Sequence, residues 1–274
     1  MNAHHPSPAS QRIWLTGASS GIGLALAEEL LAAGHRLALS ARRSGPLQQL
    51  SERFPGQVLL VPGDLGEASQ VEAIGERIRL HWGALDMAIL NAGTCEYVEA
   101  ADFQAAMVER VLRANLLSAA YCIEAALPLL RAGKQPQLVA VGSSVTYFPL
   151  PRAEAYGASK AGLRYLMDSL RIDLAHEGID VTLVSPGFVD TPLTAQNDFP
   201  MPLRWPVSKA ARHIARRLSA RPQEIAFPTP FIAGLLLLAH LPKRLQLAIG
   251  KRLARPTSSQ PTAPRPASDK DVQP

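Results

Sequence analysis

Thr16-Gly17-Ala18-Ser19-Ser20-Gly21-Ile22-Gly23 decides how this chain is read. The apolar run Arg12 to Thr16 enters the stretch as a strand. Gly21 to Ala33 leaves it as a helix, with Ile22, Ala25, Leu26, Leu30 and Ala33 near helical period. A strand, a glycine-rich turn and a helix in that order form a cradle for a pyrophosphate. Gly17 permits the tight turn, Gly21 removes a side chain where backbone must approach the anion, and Gly23 lets the helix lie close to the sheet. Ser19 and Ser20 offer hydroxyls, and the first helical turn, with Ile22, supplies amides and a positive dipole end. The spacing is G-x-x-x-G-x-G, not the G-x-G-x-x-G of other dinucleotide sites.

Outward from the turn, strand and helix patterns alternate. Strands are expected at Arg36–Ala41, Val58–Val61, Leu85–Leu90, Leu138–Val141 and Asp180–Val184. Helices are expected at Pro46–Phe54, Glu67–His81, Asp102–Arg131 with a bend near Pro128, and Glu154–His176. Six apolar strands alternating with helices imply an α/β fold, a parallel sheet covered on both faces with right-handed crossovers. Beyond Ser185 the pattern loosens. Pro186–Pro206 reads as an extended loop, Ser208–Ala220 as a helix with Ser208 as N-cap, and Glu224–Phe227 as a short last strand. Phe231–Leu241 and Lys243–Leu253 read as helices split by Pro242. The expected organisation is a disordered N-terminus (1–11), one catalytic domain (12–230), an apolar and basic helical extension (231–254) and a disordered Pro/Ser/Thr-rich tail (255–274).

Composition excludes several classes. In 274 residues, an apolar fraction of 47% rules out a disordered chain. Two cysteines, Cys95 and Cys122, rule out a disulfide scaffold and read as reduced core thiols. No C-x-x-C pair or His cluster points to a metal. The net charge of +5 is local: Arg204–Pro256 carries eleven Lys or Arg against Glu224 alone. Those cations sit beside apolar runs, not spread over the fold or interleaved with aromatics, which disfavours nucleic acid. Met1–Gln11 lacks the apolar core of a signal peptide, and the eleven-residue run Phe231–Leu241 is too short to span a bilayer.

Further signals follow the turn in order. They are Asp64-Leu65, Asn91-Ala92-Gly93, Asn115, Ser143, Tyr156-Gly157-Ala158-Ser159-Lys160, and Pro186-Gly187 with Val189 and Thr191. With the glycine spacing, this set resembles the classical short-chain dehydrogenase/reductase family over residues 12 to about 191. The resemblance implies a single Rossmann-type doubly wound sheet with a C-terminal helical extension. It also implies a nicotinamide cofactor, with Asp64 bonding the adenine edge and Leu65 flanking the ring. The Val189 backbone and the Thr191 hydroxyl would then hold the carboxamide.

The residues at the second strand choose between cofactors. An NAD site places an acid there to bond the ribose hydroxyls. This strand ends Ser40-Ala41-Arg42-Arg43, with no carboxylate before Glu52. A guanidinium grips a 2′-phosphate through two bonds, so NADP(H) is expected, with Arg42 the leading contact and Arg43 beside it.

Tyr156 and Lys160 are four apart on a helix and share a face. A cationic lysine favours the phenolate and is expected to pull the tyrosine pKa down from ~10. Tyr156 would give a proton to a carbonyl oxygen in reduction and take it back in oxidation. Ser143, at a strand end thirteen residues earlier, would hold the substrate oxygen, with Ser144 as the alternative. By resemblance, Asn115 would hold a water passing a proton to Lys160. The expected function is NADP(H)-dependent interconversion of a carbonyl and an alcohol on a small hydrophobic substrate. The alternative is an NADP(H)-binding scaffold without turnover.

Two features stay open at this level. Leu193, Phe199, Met201, Leu203 and Trp205 in the loop Pro192–Pro206 either cover an apolar ligand or pack on the last helix. The Phe231–Leu253 pair either lies at an anionic membrane surface or packs on the protein's own body or a second subunit. A homo-oligomer in the cytoplasm, with or without contact at the inner membrane surface, is the expected setting.

Overall fold

The computed structural model describes residues 10–254. The expected disordered ends lie outside these residues except at Ser10 and Gln11, which are tied down. The Ser10 hydroxyl donates to the Gly34 carbonyl at 2.8 Å, and the Gln11 amide to His35 Nδ1 at 3.2 Å.

In chain order the elements are β1 (Arg12–Thr16), α1 (Gly21–Ala32), β2 (Arg36–Ser40), α2 (Gly45–Arg53), β3 (Val58–Leu60), α3 (Ala68–Trp82) and β4 (Met87–Leu90). Then come α4 (Ala105–Leu112), α5 (Ser118–Arg131), β5 (Gln137–Val141), α6 (Glu154–Leu174), β6 (Asp180–Pro186), β7 (Val189–Asp190) and β8 (Trp205–Pro206). The chain continues through α7 (Val207–Leu218), β9 (Glu224–Phe227), α8 (Thr229–Ala239) and α9 (Lys243–Leu253).

Seven strands form one parallel sheet in the order β3-β2-β1-β4-β5-β6-β9. The strands are apolar on both faces because both are covered. In β5, Leu138 and Ala140 enter the layer shared with α3, α5 and α6. Val139 and Val141 enter the opposite layer, with α1, α2 and α7. The winding reverses between β1 and β4, which opens a crevice at their C-terminal ends.

Three local expectations are refined. Pro128 lies inside α5, and the helix is continuous through it to Arg131. The departure from α geometry is instead a π-turn at Arg113–Leu117, around Asn115. It separates α4, packed on α6, from α5, packed on α3. The extended loop is also interrupted: β7 pairs with β8 in a small parallel ribbon. The ribbon runs straight into α7, so Pro206 occupies the N-cap and Ser208 lies in the first turn.

Candidate active site

The crevice is a cleft of about 760 Å³, within the range of small-molecule sites. It is bordered by the turn after β1 and by the ends of β2, β4, β5 and β6. Of the residues singled out from sequence, Gly17, Ser19, Ser20, Gly21 and Ile22 line its floor. Arg42, Arg43, Asp64 and Leu65 line one end. Asn91, Ala92, Gly93, Ser143, Tyr156 and Lys160 line the middle, with Pro186, Gly187, Val189 and Thr191 at the far side. Gly23 and Asn115 do not line the cleft; both stand behind its wall.

The glycines divide their work. Gly17 has φ +64°, and a Cβ there would meet the Ala92 backbone at 2.8 Å. A Cβ on Gly23 would lie 2.2 Å from the Gly17 carbonyl oxygen, so this residue brings α1 against the turn. The helix starts after Ser20 in extended conformation, and no side chain caps its first turn. Those amides are left for a ligand.

Thr16, which the motif reading passed over, locks the turn to β4. Its hydroxyl oxygen accepts the amides of Asn91 at 2.9 Å and Ala92 at 3.1 Å. The Asn91 side chain donates to the carbonyls of Thr16 at 3.1 Å and Gly17 at 3.2 Å. Asn91 therefore shapes the cradle from its side chain. A threonine ending a strand just before a glycine turn was the available signal.

At the adenosine end, Ala41 is buried at the foot of the cleft, and Arg42 and Arg43 are exposed on its rim. Asp64 is turned onto its own loop, accepting the Gly66 amide at 2.9 Å.

At the centre, the buried Lys160 ammonium donates to the Val141 carbonyl at 2.8 Å. An ammonium has three donors, so this buried group keeps two for a ligand. Desolvation pushes its pKa down to about 8. Desolvation likewise pushes the Tyr156 phenol up to about 12, against a hydrogen bond with Ser143 that pulls it down. The expected downward shift of Tyr156 is thus reversed. Lys160 is engaged by Val141, with Nζ 5.9 Å from the Tyr156 ring centroid, and burial decides the outcome. Ser143 faces the cleft and accepts the Val145 amide at 3.2 Å, whereas Ser144 is buried in the following 3-10 turn and stays outside the cleft lining.

Asn115 braces this centre from behind. Its Oδ1 accepts the Thr94 amide at 2.7 Å, and its Nδ2 donates to the Thr94 carbonyl and to Ser159 Oγ, both at 2.9 Å. Cys122 is a core thiol, with its pKa pushed up to about 12 by burial. Cys95 is only half-buried and lies beside Tyr97, close enough to Lys160 to interact electrostatically. Burial keeps its thiol protonated above the ordinary range.

A polar cluster that no motif announced ties the site together. Glu224 on β9 is ion-paired with Arg164 on α6 and accepts the hydroxyls of Tyr147 and Ser185, each at 2.5 Å. Arg164 also donates to Thr146 Oγ1 at 3.0 Å. Burial works to raise the Glu224 carboxyl, but the hydrogen bonds from Arg164, Ser185 and Tyr147 outweigh it and hold it low. The cluster fastens the 3-10 turn after Ser143 to the helix that carries Tyr156 and Lys160.

The loop aromatics divide between the two readings. Trp205 stacks on Phe227 at 4.9 Å between centroids and belongs to the core beside α7. Phe199 packs edge-on against Tyr97 and Phe188, and Leu193 lines the cleft. Leu203 is exposed.

Comparison with known proteins places this geometry. The profile of the short chain dehydrogenase family matches residues 11–200. An uncharacterized oxidoreductase of Myxococcus xanthus is 35% identical over 243 residues, 87% of this chain and 96% of that one. An 11-beta-hydroxysteroid dehydrogenase-like protein 3 of Arabidopsis thaliana is 38% identical over 199 residues, 70% of this chain; the chain spans only 63% of that relative's length. Among solved structures, a short-chain dehydrogenase of Streptomyces avermitilis superposes with a TM-score of 0.76 at 22% identity, covering 89% of this chain and 98% of that one. An alcohol dehydrogenase of Thermococcus sibiricus, complexed with 5-hydroxy-NADP, gives 0.73 at 23% identity, covering 80% and 96%. These structures share the fold, and the family profile and the relatives carry the assignment: the chain belongs to the short-chain dehydrogenase/reductase family of oxidoreductases.

Proposed function

We propose that the protein interconverts a carbonyl and an alcohol on a small hydrophobic substrate with NADP(H), using Tyr156 as the general acid and base. The observation that carries this reading is the meeting of Ser143, Tyr156 and a buried Lys160 with free donors on one wall of the cleft. The cofactor, when bound, supplies or takes the hydride. The chain's own residues do the rest. Amides at the start of α1 hold the pyrophosphate, and Lys160 uses its remaining donors on the nicotinamide ribose. Ser143 holds the substrate oxygen next to the phenol. With its pKa near 12, Tyr156 is protonated at neutral pH, the form that donates to a carbonyl.

Preference for NADP(H) rests on Ala41 where an acid would serve NAD, and on two exposed arginines, Arg42 and Arg43, that line the cleft. Arg42 is the proposed grip on the 2′-phosphate, with Arg43 beside it. In this reading Asn115 is a brace, because both of its N–H groups are engaged by Thr94 and Ser159.

The test is NADPH oxidation against a panel of ketones and aldehydes. Tyr156→Phe should keep cofactor affinity and lose turnover by roughly 10²–10⁴-fold. Near-normal turnover in that variant removes Tyr156 from its role. Arg42→Asp should weaken NADPH far more than NADH, and equal wild-type affinity for the two would exclude the cofactor assignment.

A further inference from the structure

The α8–α9 unit presents an apolar surface that the described protein does not cover. Leu236, Leu237, Leu245, Leu247 and Leu253 are 40 to 69% exposed. Such a concentration on two short helices is unusual for a surface bathed in water. In α8 only Ile232 and Leu235 are buried. In α9 the one buried residue is polar: Gln246 donates to the carbonyls of Ala239 at 2.7 Å and Leu241 at 2.8 Å. This amide clamp holds α9 to the end of α8 through hydrogen bonds, so the helix does not need its apolar stripe to stay in place. That stripe, Leu245, Ile249 and Leu253 at spacings of four, is left facing outward or half-covered.

The charges beside it have one sign. Lys243, Arg244, Lys251 and Arg252 are exposed on α9, and no Asp or Glu occurs between residues 225 and 254. Several arginines elsewhere are paired, as Arg131 is with Glu177 and Arg221 with Asp180. Among the described residues no carboxylate pairs with these cations, and Lys243 bonds to Gln246 at 3.2 Å. Exposed leucines beside cations that have no carboxylate partner among the described residues match an anionic lipid surface, with the leucines at the acyl boundary and the cations at the phosphates. A copy of the same face would bring cation against cation. Each helix has eleven residues, too few to cross a bilayer, so the unit would lie in the interface.

The unit is joined to the rim of the cleft. The Phe231 ring at the start of α8 packs on Phe188 at 5.4 Å, and Phe188 on Phe199 at 6.0 Å. Gly187 lines the cleft, and a Cβ on it would lie 2.9 Å from Phe231, so the helix abuts the wall directly. We propose that α8 and α9 dock the protein reversibly on an anionic membrane surface, which sets the cleft wall at Gly187 near the lipid. The proposal rests on the exposed surface and does not depend on the reaction.

The test is co-sedimentation of the full chain with vesicles of phosphatidylglycerol and phosphatidylcholine, and with phosphatidylcholine alone. Binding is expected to the anionic vesicles only, and to weaken about tenfold or more between low and high salt. Lys251→Gln with Arg252→Gln should lower the partition by roughly twenty-five-fold, at about fivefold per cation. Leu237→Asp with Leu245→Asp should abolish it. All four positions are exposed, and thermal melts followed by circular dichroism should match wild type. Equal binding to neutral vesicles, or no loss in these folded variants, overturns the proposal. So does an absence of vesicle binding, whether or not light scattering then shows an oligomer that the leucine variant dissociates.

Discussion

The Lys160 ammonium and the Val141 carbonyl are joined by a 2.8 Å hydrogen bond inside the protein, and that bond does not offset the cost of burying the charge. The lysine's folded pKa of about 8 lies below its ordinary 10.5. Between those values the unfolded chain binds the extra proton, so stability rises with pH across that window. Tyr156 acts in the opposite sense above 10, since its folded pKa of about 12 makes the native state hold the proton longer. Urea unfolding at pH 7.5 and 9.5 should show wild type gaining stability relative to Lys160→Met. Parallel behaviour of the two would mean that Lys160 is not desolvated.

Asn115→Ala should destabilise the fold by about 1–3 kcal/mol, since it leaves the half-buried Thr94 amide and carbonyl without their side-chain partner. The same substitution should loosen Gly93 and Thr94 before the rest of the protein, visible as faster amide exchange there. Unchanged stability with lost turnover would instead assign Asn115 to proton transfer alone.

The three glycines of the turn should not be equally replaceable. Gly21→Ala meets only Thr191, at 3.4 Å, and suffers the strain of φ +55°, about 1 kcal/mol. Gly23→Ala drives a methyl into the Gly17 carbonyl at 2.2 Å and should abolish folding or cofactor binding. Gly17→Ala combines positive φ with a 2.8 Å backbone clash and should be as damaging as Gly23→Ala. Thermal melts of the three variants rank them, and a Gly21 variant worse than Gly23 would contradict the packing.

What could be read from sequence was what repeats locally. Continuous apolar runs such as Leu138–Val141 announce strands covered on both faces, and Tyr156 with Lys160 share a face through helical spacing alone. What escaped depends on partners far along the chain. Glu224 gains its meaning from Arg164, sixty residues earlier, and Thr16 from Asn91, seventy-five residues later. The Tyr156 shift escaped because desolvation depends on everything packed around the ring. Trp205 stayed open between ligand cover and packing because its stacking partner, Phe227, lies on another strand.

Glu224→Gln should remove an acid-sensitive part of stability. The folded carboxyl sits below its ordinary 4.5, so its contribution is complete above that pH and is lost as the pH falls through the lower folded value. Wild type should therefore lose more stability than the variant on going from pH 6 to pH 3. An equal loss would show that Arg164 and the two hydroxyls contribute nothing to holding the charge.

The π-turn at Arg113–Leu117 makes this helix a counted length of chain. Each residue of an α-helix advances the face by about 100°. One surplus residue therefore sets the phase between Val111, buried beside Ala155, and Ala126, buried in the sheet-side core. Deleting a single residue from the turn would give a more regular backbone and a worse protein: one half would stay seated, and the other would swing its core residues toward water. Surface loops tolerate changes in length, but here the number of residues is itself a structural requirement. An otherwise harmless one-codon deletion at this point should be as disabling as loss of a core side chain.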